Sequence, residues 1–147
     1  MDTTKINELL ARHVADAALL AAEGKAWHWN VTGPNFGDLH ALFDQITEHA
    51  RAATDELAER VVQLRGTPPA FAGEWLEHTT LDQPTGTRPG AGEMLAHIEE
   101  SLTRISDAAR ADIGAFDELG DPATADILTA WLEVIDKDRW MVRAHRA

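Results

Sequence analysis

The chain has 147 residues, no cysteine, and 25 Asp plus Glu against 13 Lys plus Arg, for a formal charge of −12. That length suits one domain spanning residues 1–147 with its own core, and without thiols there can be no disulfide, zinc knuckle or cysteine nucleophile, so any metal site must use His and carboxylate. The acidic balance disfavours a phosphate backbone and favours cations; with no N-terminal apolar stretch and no long uncharged apolar run, a cytoplasmic protein without a membrane span is expected.

Apolar or small residues at Ile6, Leu10, Ala17, Leu20, Gly24, Trp27 and Val31 recur every three or four positions, which predicts one amphipathic helix from Lys5 to Val31. His13 lies on that stripe and reads as a core histidine. Gly33-Pro34 breaks the pattern, and Asn35 is a candidate N-cap for a second helix that runs to Arg65, where Gly66-Thr67-Pro68-Pro69 stops it. The stretch from Pro68 to Gly92 holds Pro68, Pro69, Pro84 and Pro89 and reads as a long connection. Phe71, Trp75 and Leu76 interrupt its polarity, and Gly73 to His78 is expected to form a short helix that seats on the bundle. A third long helix follows from Gly92 to Glu118, with Leu95, Ile98, Leu102, Ile105, Ala109, Ile113 and Phe116 on one side. The fourth starts at Asp121-Pro122, an N-cap with Pro in the first turn, and carries Ile127, Leu128, Trp131, Leu132, Ile135 and Trp140. Four long helices with one long connection between the second and third give an all-α, ferritin-like four-helix bundle with a crossover.

The second helix carries more than a core face. On a wheel turning about 100° per residue from His40, Leu42, Phe43, Ile46, Ala50, Ala53, Leu57, Val61 and Leu64 fill an arc of roughly 100°. Asp44, Asp55 and Glu59 lie near 40°, 60° and 100°, off that arc, so they point away from their own bundle. His40 and Asp55 are separated by about 22 Å along the axis, too far for one metal ion. His28 and His40 lie at similar distances from the Gly33-Pro34 turn, so an antiparallel hairpin brings them level. One chain thus offers two half-sites, one with His28, His40 and Asp44, the other with Asp55 and Glu59, which a twofold dimer would join. Imidazoles with hard oxygen ligands suggest iron.

The run Lys25-Ala26-Trp27-His28-Trp29-Asn30-Val31-Thr32-Gly33-Pro34-Asn35-Phe36, with Leu39-His40, Phe43-Asp44 and Asp55-Glu56-Leu57-Ala58-Glu59-Arg60, resembles the Dps family of ferritin-like mini-ferritins. The resemblance extends from the first helix to the end of the fourth, and it places a short extra helix in the same connection. It implies a ferroxidase centre shared between subunits, with His28, His40, Asp44, Asp55 and Glu59 as catalytic and metal-binding residues. It also implies Fe2+ as substrate, hydrogen peroxide as oxidant, no organic cofactor, and a hollow homododecamer storing ferric mineral and protecting against oxidative stress. No Glu-x-x-His occurs in the chain, which counts against a di-iron site inside one bundle.

Three further groups have plainer readings. Trp27 falls on the apolar stripe. Trp29 is off it, and Trp29 and Trp140 match positions where the family resemblance implies that an aromatic intercepts radicals. Glu118, Asp121 and Asp126 cluster at the start of the fourth helix, where dipole compensation suffices for Asp121; the resemblance also implies an iron pore here. His49, His78, His97 and His145 have no comparable ligand set. Lys137, Arg139, Arg143 and Arg146 with His145 form the one basic cluster, interleaved with Asp136 and Asp138, so DNA binding is expected to be weak or absent. The alternatives are a nucleoid-condensing protein with secondary iron chemistry and a divalent-metal-binding shell that oxidises nothing.

Overall fold

The computed structural model describes residues 1–147 as five helices: α1 (Thr3–Asn30), α2 (Phe36–Gln63), α3 (Ala72–His78), α4 (Ala91–Glu118) and α5 (Pro122–Arg146). No strand is present, and no helix is long and apolar enough to cross a membrane. The four long helices and the short α3 match the ferritin-like architecture expected from periodicity, with boundaries within two residues. At about 1.5 Å per residue, each long helix spans about 40 Å.

Helix ends follow local chemistry. Asp2 caps α1 by accepting from Lys5 N at 3.2 Å, and Asp121 caps α5 by accepting from Thr124 N at 3.2 Å, with Pro122 in the first turn. Asn35 occupies the N-cap position of α2, but its side chain makes no capping bond. The turn before it relies on Gly33, whose φ of +108° suits a residue without Cβ.

The packing follows from which ends meet. Glu23, near the end of α1, bonds to His97 and Ser101 near the start of α4, while His13 nearer the start of α1 bonds to Asp112 late in α4. Those helices are therefore antiparallel. Arg60 near the end of α2 reaches Asp121 and Thr124 at the start of α5, and His49 in mid-α2 meets Asp138 on α5, so that pair is antiparallel too. With the α1/α2 and α4/α5 hairpins, every neighbouring pair around the bundle runs antiparallel, which requires the α2–α4 connection to climb its full length. One contiguous core joins all four long helices, and every residue of the expected α2 arc lies in it. The α1–α2 pair approaches most closely at Gly24, where an added Cβ would stand 2.5 Å from Thr47 Oγ1 and 3.1 Å from Phe43 O.

One expectation needs correction. Trp140 was expected on the apolar side of α5, but it is 58% exposed and Val142 takes the buried position; residues 140 and 142 lie about 200° apart on the wheel, so only one can face inward. In α3, Trp75 alone is held, half-buried with Nε1 donating to Pro69 O at 3.0 Å. Phe71 and Leu76 are exposed.

The climbing connection is pinned by Asp16 on α1, a carboxylate 1% exposed. It accepts from Thr79 Oγ1 at 2.6 Å, Thr80 N at 2.8 Å and Thr80 Oγ1 at 2.6 Å. Asp16→Ala should release this segment, raising amide exchange at Thr80 by about a hundredfold, equivalent to about 3 kcal/mol of local stability. Unchanged exchange would mean that α3 alone anchors the connection.

Candidate metal centre

His28, in the last turn of α1, and His40, in the first turns of α2, are brought face to face by the hairpin. Their rings stack with centroids 3.6 Å apart and planes 13° from parallel, and Phe36 stacks on His40 at 5.0 Å. Each imidazole bonds the other residue's backbone: His28 Nδ1 donates to His40 O at 2.6 Å, and His40 Nδ1 donates to His28 O at 2.7 Å. A carbonyl oxygen can only accept, so each Nδ1 carries a proton. In the neutral ring that fixes the tautomer and leaves the Nε2 lone pair free, the arrangement that orients histidines toward a metal ion. Both rings are half-exposed, so the two Nε2 atoms need no rearrangement to meet an ion from outside the chain.

Asp44 lies one turn beyond His40, and Lys25 Nζ donates to its Oδ1 at 2.6 Å. That hydrogen bond holds the Asp44 carboxyl below its usual range; the charges of Lys25, His28 and His40 act in the same direction, against a smaller opposing effect of desolvation. Asp44 is thus an anion with a cation already on it, and it can bind a metal only by sharing with or releasing Lys25. Lys25 opens the motif and stands three residues before His28, on the same side of α1, but its place in the sequence alone assigns it no role.

Asp55 and Glu59 are exposed on α2, one turn apart on the same side. The structure does not bring them to the histidines: no three metal-capable side chains of this chain converge anywhere. Asp55 lies on the rim of an open groove of about 600 Å³ between α1, α2 and the start of α3. Ala18, Ala21, Ala22 and Ala58 line its floor, while Trp29 and Trp75 flank it. Trp29 is 69% exposed. An apolar groove beside an exposed tryptophan is a surface that a lone chain leaves uncovered.

At the other end of the bundle the acidic group separates by environment. Asp121 is buried and fully used: Thr124 donates to it through both backbone and hydroxyl, and Arg60 Nη2 donates at 2.8 Å. Burial alone would push its carboxyl up, but the Thr124 bonds and then Arg60 outweigh it and hold the group low. Glu118 and Asp126 are exposed and form no ion pair within the chain, leaving their charges directed at solvent. Trp140 is exposed on α5 and stacks on no other ring of its own chain.

Three histidines without an assigned role proved to be partnered: His49 Nδ1 donates to the fully buried Asp138 at 2.8 Å, His97 Nδ1 to Glu23 at 2.9 Å, and His145 Nδ1 to Met141 O at 2.9 Å. His13 is a buried core histidine, as its position on the stripe implied, with Nε2 2.7 Å from Asp112. Burial would push Asp112 up, yet the bonds from His13 and Arg12 hold it below the ordinary carboxylate range.

Comparison with known proteins agrees with this fold. A family model described as a ferritin-like domain matches residues 7–147. A "DNA protection during starvation protein" of Brevibacillus brevis is 35% identical over 136 residues, which make up 92% of this chain and 91% of that protein. One from Deinococcus radiodurans is 34% identical over 139 residues, 95% of this chain and 67% of that protein. Among solved structures, a Dps protein from Bacillus brevis superposes with a TM-score of 0.93 at 32% identity, covering 100% of this chain and 99% of the other. An archaeal Dps homologue from Halobacterium salinarum gives 0.96 at 28% identity, with 99% and 81% covered.

Proposed function

Because the chain belongs to the Dps family of ferritin-like proteins, we propose that it takes up Fe2+, oxidises it at centres shared between two subunits, and stores the ferric product inside a hollow homododecamer. The observation that carries this reading is the stacked pair His28 and His40, whose Nδ1 protons are spent on backbone carbonyls while both Nε2 atoms remain available. Two imidazoles alone make a weak site. The missing anionic ligands are Asp55 and Glu59 of a twofold mate, laid across the apolar groove so that the histidine end of one chain meets the carboxylate pair of the other.

The donor set suits the reaction. Imidazole nitrogen holds Fe2+ as it arrives, and carboxylate oxygen stabilises the extra charge of Fe3+, so oxidation is favoured by the ligands that the partner supplies. With hydrogen peroxide as oxidant, two Fe2+ each give up one electron and the O–O bond is cleaved to two hydroxides, so no hydroxyl radical need escape. Asp44, held as an anion by Lys25, supports the centre or joins it when an ion displaces the ammonium. Trp29 borders the groove that the mate would fill, and it stands beside the oxidation centre as an aromatic able to intercept stray oxidant; Trp140, exposed on α5, is the second aromatic proposed for that role.

The threefold contacts form the proposed pores, with the free carboxylates of Glu118 and Asp126 drawing Fe2+ inward and Asp121 serving as the cap beneath them. Asp126→Asn should slow iron uptake by several-fold at low ionic strength while leaving oxidation at the outset unchanged, because the charge acts by attraction over a distance that salt screens. Equal uptake would leave Asp126 as a surface residue.

Anaerobic loading with Fe2+ followed by peroxide, read as ferric absorbance in the size fraction expected for about twelve chains, tests the proposal. It also separates oxidation from a shell that merely binds divalent metal, which would show Fe2+ retention and no peroxide consumption. The competing DNA-condensing reading meets the −12 formal charge and a C-terminus in which Arg146 is paired with Glu99. No duplex mobility shift is expected at physiological salt.

A further inference from the structure

Outside the candidate centre, one buried charge ties the end of α1 to the start of α4. The Glu23 carboxylate is 6% exposed. Trp27 Nε1 donates to its Oε2 at 2.9 Å, His97 Nδ1 donates to the same oxygen at 2.9 Å, and Ser101 Oγ donates to Oε1 at 2.7 Å. A buried carboxylate is costly unless a counter-charge meets it, and of these three donors only His97 can carry one.

His97 is also the member of the group that reaches solvent. It lines a cavity of about 440 Å³ roofed by residues between Gln83 and Pro89, with Trp27 in the wall. The Trp27 indole meets the imidazole edge-on at 6.0 Å. Protons therefore exchange at an open face while the charge they balance lies inside.

The surroundings of His97 are acidic on every side. Glu23 comes from α1, Glu93 and Glu100 from α4, and Asp82 from the connection; Arg104, the one cation among them, is shared between Glu100 and Asp82 at 3.0 Å each. Lys25 faces α2 instead and is taken by Asp44. The hydrogen bond to Glu23 raises the His97 pKa above the usual 6.5 against the effect of burial, with the charges of Glu23, Glu100 and Asp82 adding to it.

We propose that Glu23 and His97 form a pH-sensitive latch between α1 and α4, clamping Trp27 and with it the turn that carries His28. With His97 charged, the buried pair is neutral overall and the latch is closed. When His97 loses its proton, Glu23 is left as an uncompensated buried anion, and the last turn of α1 loosens. The sign follows from linkage: a group whose pKa is raised on folding contributes stability that is fully present below its unfolded value and is lost as pH rises through the folded one. The latch concerns helix docking, so it stands whether or not His28 binds iron.

The assembled protein labelled with 5-fluorotryptophan tests this by fluorine NMR from about pH 5.5 to about 9, alongside amide exchange at Trp27 to Asn30. One of the five tryptophan resonances should titrate with a midpoint above the ordinary imidazole value. That titration should be absent in His97→Gln, which keeps a donor for Glu23 but no titrating charge, and should fall back toward the ordinary value in Glu23→Gln. Over the same range, exchange corrected for its intrinsic pH dependence should rise by about tenfold in the wild type and stay flat in His97→Gln. A titrating resonance that survives His97→Gln, or exchange that responds to pH equally in both proteins, would overturn the latch. A His97-dependent resonance with flat exchange would overturn it as well, since His97 would then sense pH without holding anything.

Discussion

Replacing Asp55 and Glu59 together by Ala should cut rapid iron oxidation by about a hundredfold or more, the order expected when the anionic ligands of a metal centre are lost. Circular dichroism should be unchanged, because both side chains are exposed and off the core face of α2. His28→Ala with His40→Ala should lose oxidation to the same extent from the other half-site. This second variant should also be slightly less stable, since each imidazole donates one bond across the α1–α2 hairpin, each contributing about 1 kcal/mol. Fast oxidation by either double variant would mean that iron is oxidised elsewhere in the chain.

A single arginine in the groove should have an effect as large by a different route. Ala22 is exposed on α1 and lines the groove floor, so Ala22→Arg leaves the isolated bundle intact, and arginine is itself a good helix former. In a twofold contact the substitution appears on both sides at once, setting two bulky cations onto the alanine floor of a groove that Lys25 and Arg51 already line. The variant should elute as a small species at micromolar concentration, fully helical, with fast oxidation lost although all five proposed ligands are present. A full-size, active assembly would show that the groove is not where two chains meet.

How much of this was legible in the sequence depends on whether a residue's partner is local. The core arc of α2 follows from spacing alone, and every member of it is buried. The His28–His40 pairing was readable because both residues count back from the same turn, so a hairpin of any reasonable geometry sets them level. Lys25 on Asp44 was within reach of the same reasoning, since Lys25 shares a helix face with His28, but its partner is nineteen residues away. The bonds of Glu23 to His97, Asp16 to Thr80 and Asp138 to His49 were out of reach. Each joins helices or segments whose relative height is set by side-chain packing rather than by a short turn, and without that height a lone Glu or His on a helix reads as surface or core with equal ease. Trp140 failed for the opposite reason: hydrophobicity placed it inward, while the phase of α5 gave that place to Val142.

Mixed assemblies test the shared centre most directly. Chains carrying Asp55→Ala with Glu59→Ala and chains carrying His28→Ala with His40→Ala would be dissociated together and reassembled, with mixing confirmed by mass. With random pairing, half of the twofold interfaces join unlike chains, and in each of those one site receives both intact halves while the other receives neither. The mixture should therefore recover about a quarter of the wild-type rate from two inactive parents. If each centre were built within one chain, no site in the mixture would be whole, and activity that stays at the level of the parents would contradict the account.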